Sequence, residues 1–483
     1  MTEGNGIERA DLCIIGAGAG GLSVAAGAAQ LGAKVVLIEK GEMGGDCLNH
    51  GCVPSKALLS AARAAHVAAG SARFGIHATP RIDHGAVHDH VHRAIAAIAP
   101  HDSQERFEGL GVTVIRAPGR FVSPREVEAG GRRIRARRFV IATGSRPAIP
   151  PIPGLDELPF ETNETIFART MPPRHLLVLG GGPIGLEMAQ AHARLGAAVT
   201  VIEAAPRIAP REEPELAAIL AERLAAEGVR ILAGHKVVRA NRGATDAADR
   251  VVLHLENAEG QRITVGGSDL LVATGRRPAV EGLGLEAAGI RTGPGGIETG
   301  PDLRTTNRRV FAIGDVGGRG GFTHLAGAQA ALVIRAALFG LPVRMRDDHV
   351  PRVIFTDPEL AHVGLTEETA RTRHGRHLEV VQVPLADNDR AICEGRREGH
   401  AKLMVARGRP VGVAIVGPLA GEQIQLWALA LARRMKLIDL AAMISPYPTF
   451  GESAKAIAGA WLGPRLFESA WPRRIVRLVR HLP

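Results

Sequence analysis

Apolar residues run unbroken through Leu12-Cys13-Ile14-Ile15 and again through Leu176-Leu177-Val178-Leu179, and each run stops at a glycine. Short unbroken runs of this kind, bounded by a turn residue, predict strands buried on both faces, as in a parallel sheet. Three glycines follow each run at matching positions: Gly16, Gly18 and Gly21 in the first, Gly180, Gly182 and Gly185 in the second. An alanine-rich stretch then predicts a helix, and a second apolar run follows, Lys34 to Glu39 and Ala198 to Glu203. The closing acid lies 23 residues past the first glycine in both copies (39 − 16 and 203 − 180). The chain therefore contains the unit strand–GxGxxG–helix–strand–acid twice.

Each part of the unit has a physical purpose. The first glycine permits a tight turn, the second lets a pyrophosphate reach the backbone, and the third lets helix and strand pack closely. The helix N-terminus offers free N–H groups to phosphate, and the acid accepts hydrogen bonds from a ribose diol. A glycine turn without a ligand needs no acid at a fixed offset, so two dinucleotide sites are expected. Glu203 in the second favours NAD over NADP, because a carboxylate repels a 2′-phosphate. Arg207 nearby weakens that preference, or is a surface arginine of the following loop.

Just past the first unit comes Gly44-Gly45-Asp46-Cys47-Leu48-Asn49-His50-Gly51-Cys52-Val53-Pro54-Ser55-Lys56. The chain has only 4 cysteines, and this run uses two, leaving Cys13 and Cys393. Such economy suits redox chemistry better than stapling, and it suits a reducing, cytoplasmic compartment. The spacing differs from a zinc knuckle. The polar start, Met1 to Asp11, lacks the basic head and apolar core of a signal peptide. No apolar stretch reaches the ~18 residues of a membrane span. At 483 residues, several domains with full cores are expected. Net charge is +10, yet aromatic residues make up only 3%, too few for base-stacking platforms, so nucleic-acid binding is not expected. The densest arginine cluster, Arg132 to Arg138, predicts a hairpin strand after Gly130-Gly131, with its charges outward.

With these motifs the chain resembles the flavoprotein disulfide reductases, the group that holds dihydrolipoamide dehydrogenase, glutathione reductase and mercuric reductase. Further matches are Ile141-Ala142-Thr143-Gly144-Ser145-Arg146-Pro147, Val272-Ala273-Thr274-Gly275-Arg276-Arg277-Pro278, and Phe311-Ala312-Ile313-Gly314-Asp315. The resemblance implies an α/β fold with two doubly wound dinucleotide-binding domains and a C-terminal α/β dimerisation domain. The FAD domain would take residues 1–150 and 275–345, the NAD(P) domain 151–274, and the interface domain 346–483. Gly16, Gly18, Gly21, Glu39, Lys56, Thr143, Gly144, Asp315 and His324 would bind FAD. Gly180, Gly182, Gly185, Glu203 and Gly275 would bind NAD. Electrons would pass through a Cys47–Cys52 redox disulfide, with Cys52 nearer the flavin and Cys47 nearer the substrate. Lys56 would pair with Glu187 beside the flavin. A homodimer would share its active sites across subunits, and no resident metal is expected.

Near the C-terminus the chain departs from the pattern. Dihydrolipoamide dehydrogenases and glutathione reductases carry His-Pro-Thr-x-x-Glu, whose histidine is the acid/base; here the run is Tyr447-Pro448-Thr449-Phe450-Gly451-Glu452, with the chain's one tyrosine in that place. A phenol with pKa near 10 needs a shift of ~3 units to act as a base at pH 7. Poor dihydrolipoamide turnover is expected, unless His50 supplies the base. Mercuric reductases also carry tyrosine there. The expected function is NAD(P)H-dependent reduction of a disulfide, metal–thiolate or related acceptor. The alternatives are a dihydrolipoyl dehydrogenase and a peripheral-membrane flavin electron carrier.

Two weaker patterns complete the reading. His84, His88 and His92 recur every four residues and predict a solvated helix face rather than a metal site. From Gly463 to Pro483 the tail has five arginines against one acid, interleaved with Leu466, Phe467, Trp471, Ile475 and Leu478. A tail packed on the dimer is expected ahead of a membrane-surface helix, with Pro472 interrupting any long helix.

Overall fold

The computed structural model describes residues 7–243 and 250–480. Its first apolar run is the strand Glu8–Ile15, at the centre of a parallel sheet. Val35–Ile38 and then Thr113–Ile115 lie to one side, and Arg132–Ile141 to the other. Val310–Ala312 adds parallel to the end of Arg132–Ile141. Alternate side chains enter different cores. Leu12 and Ile14 pack with Leu22, Leu325 and Val333 of the helices Ala19–Gln30 and Thr323–Leu338. Cys13 and Ile15 pack with Phe121 and Val127 of the antiparallel strands Gly119–Ser123 and Glu126–Ala129. Burial on both faces is why the run is continuously apolar. The hairpin into Arg132–Ile141 turns at Gly130 and Gly131, both at positive φ, and its arginines alternate outward with buried Ile134 and Ala136.

The second glycine unit lies between Arg132–Ile141 and Val310–Ala312 in the chain. Its parallel strands run Arg230–Ala233, Ala198–Glu203, His175–Leu179, Asp269–Val272. An antiparallel sheet of His235–Arg242, Val251–Asn257 and Arg262–Gly267 covers one side. Two short strands, Ser145–Pro147 and Arg276–Pro278, pair antiparallel where the chain enters and leaves this unit. The last unit is a five-stranded antiparallel sheet, from Arg352–Ile354 to Leu378–Pro384, with helices Ala420–Ala432 and Glu452–Gly463 sealing a core around Trp427.

Buried ion networks lock the second and last units together. Arg194, 4% exposed, donates to both Glu227 oxygens at 2.7 Å and to Asp357 at 3.1 Å. Arg396 reaches Asp357 at 2.7 Å. Burial raises the Glu227 and Asp357 carboxyls, but the facing guanidiniums more than reverse this and hold both below the ordinary carboxylate range. The buried Lys402 ammonium draws in Glu213 and Glu367 at 2.6 Å each, and Glu215 as well. It occupies the point on which those three carboxylates converge.

In the tail no long helix runs through Pro472, as expected: the helical path of Glu452–Gly463 and Pro464–Glu468 breaks at Ser469, and Pro472 lies in the first turn of a new helix, Ala470–Val479. First-turn N–H groups have no intrahelical acceptor, so proline costs nothing there.

Arg194→Met takes one guanidinium from each of two buried carboxylates and leaves Glu227 to Arg223 and Asp357 to Arg396, and a loss of about 3 kcal/mol in urea unfolding of the holoenzyme is expected. Because both folded pKa values are depressed, the wild-type advantage is full above about pH 4 and fades as acid protonates the pair. An R194M variant as stable as wild type at pH 7 would contradict this account.

Candidate active site

The two glycine turns are built alike down to their side-chain bonds. Glu39 accepts N–H bonds from Ala17 at 2.6 Å and Gly41 at 2.7 Å, and Glu203 accepts them from Gly181 and Ala205 at 2.7 Å each. A Cβ on Gly16 or Gly180 would lie 2.4 Å from a carbonyl oxygen, that of Ala142 or Ala273. On Gly21 or Gly185 it would lie 1.9 or 2.0 Å from the carbonyl oxygen of the turn's first glycine. The middle glycines differ. Gly18 and Gly182 have ordinary φ values of −81° and −87°, and nothing lies within 4 Å of an added Cβ. Each caps a helix whose first N–H groups no side chain caps. The space they leave suits a pyrophosphate at a helix N-terminus.

A continuous cavity of about 2540 Å³ joins both turns and is lined by Gly18, Glu39, Cys47, Cys52, Gly182 and Glu203. One ligand typically needs ~300–1,000 Å³. The cavity is thus large enough for two dinucleotides in series, and its residues fit a flavin at the first turn and a pyridine nucleotide at the second.

Cys47 lies in the short helix Gly45–Asn49, and Cys52 opens the long helix Cys52–Ala69. Both are free thiols, and Cys47 donates a hydrogen bond to Cys52. That bond lowers the Cys52 thiol to about 6, against the effect of burial; a further bond from Thr323 and the charge of Lys56 help. The Sγ of Cys52 lies 3.4 Å from Thr323 Oγ1. A helix N-terminus favours a thiolate in the same way. Cys47 shifts upward, because it donates to Cys52 and is partly buried. The pair is therefore polarised, with the negative charge at Cys52.

Lys56 Nζ is 2.8 Å from Glu187 Oε2, and Glu187 Oε1 accepts the Phe355 N–H at 3.0 Å. Lys56 also sits over the Phe355 ring. Asp315 lines the cavity and accepts the Ser145 hydroxyl. His324 lines it too, with Nε2 2.8 Å from the Pro351 carbonyl oxygen and its ring stacked on Phe322. The Thr143 hydroxyl bonds Ala279 O, and Thr274 bonds Ala148 O, at 2.8 Å each. These reciprocal ties join the two connecting strands. Gly144 and Gly275 adopt φ of +68° and +143° in the same turns. His50 lines the cavity as well, and its Nε2 lies 3.6 Å from Glu42. In the helix His84–Ile98, the His88 and His92 rings pack tilted with centroids 4.0 Å apart and His92 Nδ1 bonds the His88 carbonyl, so they form no convergent ligand set.

Tyr447 and Glu452 do not line this cavity. Tyr447 is 71% exposed on the last unit, and its hydroxyl donates to Asp389 Oδ2 at 2.8 Å. That bond and the Asp389 charge push the phenol's pKa upward. Asn388 donates to Thr449 O, so two adjacent residues clamp the motif. Glu452 accepts from Thr449 N instead of bonding the phenol. Thr323 and Asp389 escaped the sequence reading. Thr323 adjoins His324, which drew attention to itself, and Asp389 lies 58 residues from its partner with no local pattern to link them.

In the two-electron-reduced holoenzyme, the long-wavelength absorbance of a thiolate beside flavin is expected to rise with a midpoint near pH 6. Thr323→Val moves that midpoint upward. No change in the band from pH 5 to 8 would contradict the assignment to Cys52. Gly182→Val leaves the fold and flavin content intact but raises KM for the pyridine nucleotide at least about tenfold, read by steady-state kinetics.

Residues 10–330 match the family described as pyridine nucleotide-disulphide oxidoreductase, and residues 350–458 match its dimerisation domain. A dihydrolipoyl dehydrogenase of Thermus scotoductus is 38% identical, covering 93% of this chain and 97% of that protein. A mercuric reductase of Streptomyces lividans is 35% identical, covering 93% and 95%. Among solved structures, the HOCl-induced flavoprotein disulfide reductase RclA from Escherichia coli superposes with a TM-score of 0.81 at 28% identity, covering 93% of this chain and 99% of that one. RclA has also been solved as a Cu(II) complex. With both glycine cradles, the polarised cysteine pair and these relatives in view, the chain belongs to the pyridine nucleotide-disulphide oxidoreductases, enzymes that use a flavin and a pyridine nucleotide.

Proposed function

We propose that the chain is a homodimeric, NADH-dependent reductase of metal–thiolate or related thiophilic acceptors, rather than a dihydrolipoyl dehydrogenase. The observation that carries this reading is the Tyr447–Asp389 hydrogen bond. It raises the phenol's pKa, whereas a base at neutral pH would need it lowered.

The chain's own groups divide the work. The Gly182 turn and Glu203 hold the nicotinamide dinucleotide. Arg207 spends its guanidinium on the Pro210 and Glu212 carbonyls, which leaves Glu203 to favour NAD over NADP. Glu39 and the Gly18 turn hold FAD, which when bound supplies two-electron exchange between nicotinamide and the sulfur pair. Lys56, fixed by Glu187, offers positive charge beside that exchange. Cys52 holds the negative charge at the first turn of its helix. Cys47 faces the acceptor as a thiol whose proton is held tightly.

Such a thiol is a slow nucleophile towards a disulfide unless a base removes its proton. A thiophilic metal ion needs no base: the sulfur–metal bond forms as the S–H bond breaks, and the proton leaves to water. The Cu(II) complex of RclA shows that a related reductase binds a transition-metal ion, which supports a metal acceptor. Tyr447 stands outside its own chain's cavity, and because its one O–H is given to Asp389, its phenol oxygen would meet the partner's cysteines in the dimer as an acceptor.

Steady-state assays test the reading. NADH consumption with Hg(II) or Cu(II) presented as thiol complexes is expected to exceed dihydrolipoamide turnover by about 10²-fold or more in kcat/KM. Tyr447→His raises dihydrolipoamide turnover about tenfold or more. Competent wild-type dihydrolipoamide oxidation would assign the chain to the other branch. Because Tyr447 is the only tyrosine, the phenolate absorbance reports it alone. Asp389→Asn is expected to lower its titration midpoint, and an unchanged midpoint would remove Asp389 from the account.

A further inference from the structure

The tail carries a surface that the reductase chemistry does not use. In the helix Ala470–Val479 no residue is buried. Trp471, Ile475 and Leu478 fall at i, i+4 and i+7, so they form one stripe, with Val479 beside it. Arg473, Arg477 and Arg480 repeat the same spacing on the opposite face, with Arg474 beside them. Trp471 and Leu478 are 69% and 70% exposed, and Phe467 just before the helix is 73% exposed. Among the described residues, none of these four arginines has a carboxylate partner. Arg473 bonds only the Phe467 carbonyl. The last fixed point is Arg465, which pairs with Glu379 and lies 3.9 Å from the Trp461 ring centroid.

We propose that this helix docks on an anionic phospholipid surface, lying in the interface with its apolar stripe inward and its arginines among the headgroups. Three observations favour that occupant over a second copy of the chain. The helix begins beyond residue 458, where the matched dimerisation domain ends. No acid follows Glu468, and the whole chain carries a net charge of +10, so another copy offers the arginine face little complement. An apolar stripe with tryptophan at its edge, set against an all-arginine face, is the composition that binds the boundary of an anionic bilayer. The contact is peripheral, since no helix among the described residues is long and apolar enough to cross a membrane.

Cosedimentation of the full-length holoenzyme with vesicles tests this independently of its acceptor. Vesicles containing phosphatidylglycerol are expected to carry down the enzyme at least about tenfold better than pure phosphatidylcholine. Joint Arg473→Glu and Arg477→Glu substitution lowers that binding about tenfold or more. Trp emission shifts to the blue on binding, and Trp471→Phe removes the shift. Truncation after residue 462 abolishes vesicle binding while the dimer and NADH oxidation persist. Failure to bind phosphatidylglycerol vesicles, or equal binding by the charge-reversed variant, would overturn the proposal. Dissociation of the truncated dimer in analytical ultracentrifugation would also overturn it and give the face to a second copy.

Discussion

The close approach of Gly45 to Gly18 is the constraint on which the site depends. A Cβ at Gly45 would lie 2.8 Å from Gly18 Cα, and the Gly44 N–H bonds the Ala17 carbonyl at 3.0 Å. Two backbones meet with no side chain between them. That contact sets the cysteine segment against the turn that would hold a pyrophosphate. The same fold step starts the helix Cys52–Ala69 at the sulfur that carries the charge. Sulfur chemistry and nucleotide binding therefore share one rigid corner, which is the preorganisation a short electron path requires.

The remaining units are held to this corner by charge as well as by packing. Glu187, on the helix that follows the second glycine turn, bonds Lys56 from the first unit and the Phe355 N–H at the start of the last. Arg194 on the same helix binds Asp357. One helix thus couples nucleotide turn, cysteine helix and interface sheet. A buried charge of this kind stabilises little in itself, but it penalises misalignment heavily, since any slip strands an ion.

Much of this was legible in the chain because it is local. Unbroken apolar runs at Leu12 and Leu176 marked buried strands, and the fixed offset to Glu39 and Glu203 marked the repeat. The equal hydrogen bonds of those two acids give that offset a structural cause. Gly18 and Gly182 could be singled out as glycines, but only coordinates show that no protein atom demands them. What stayed hidden depends on distant partners. Thr323 reaches Cys52 across 271 positions, and Asp389 reaches Tyr447 across 58. Neither has a neighbour that hints at the pairing. Pro472 marked the break at Ser469, but proline also opens a helix readily, and the sequence did not show that a new helix would start around it.

The sulfur pair is the central claim, and one measurement addresses it most directly. In the Cys47→Ser/Cys52→Ser enzyme loaded with FAD, anaerobic stopped-flow follows flavin reduction by NADH, and steady-state turnover follows the acceptor. The account predicts that NADH still bleaches the flavin, while acceptor turnover falls by about 10³-fold or more. Undiminished acceptor turnover without either sulfur would contradict it.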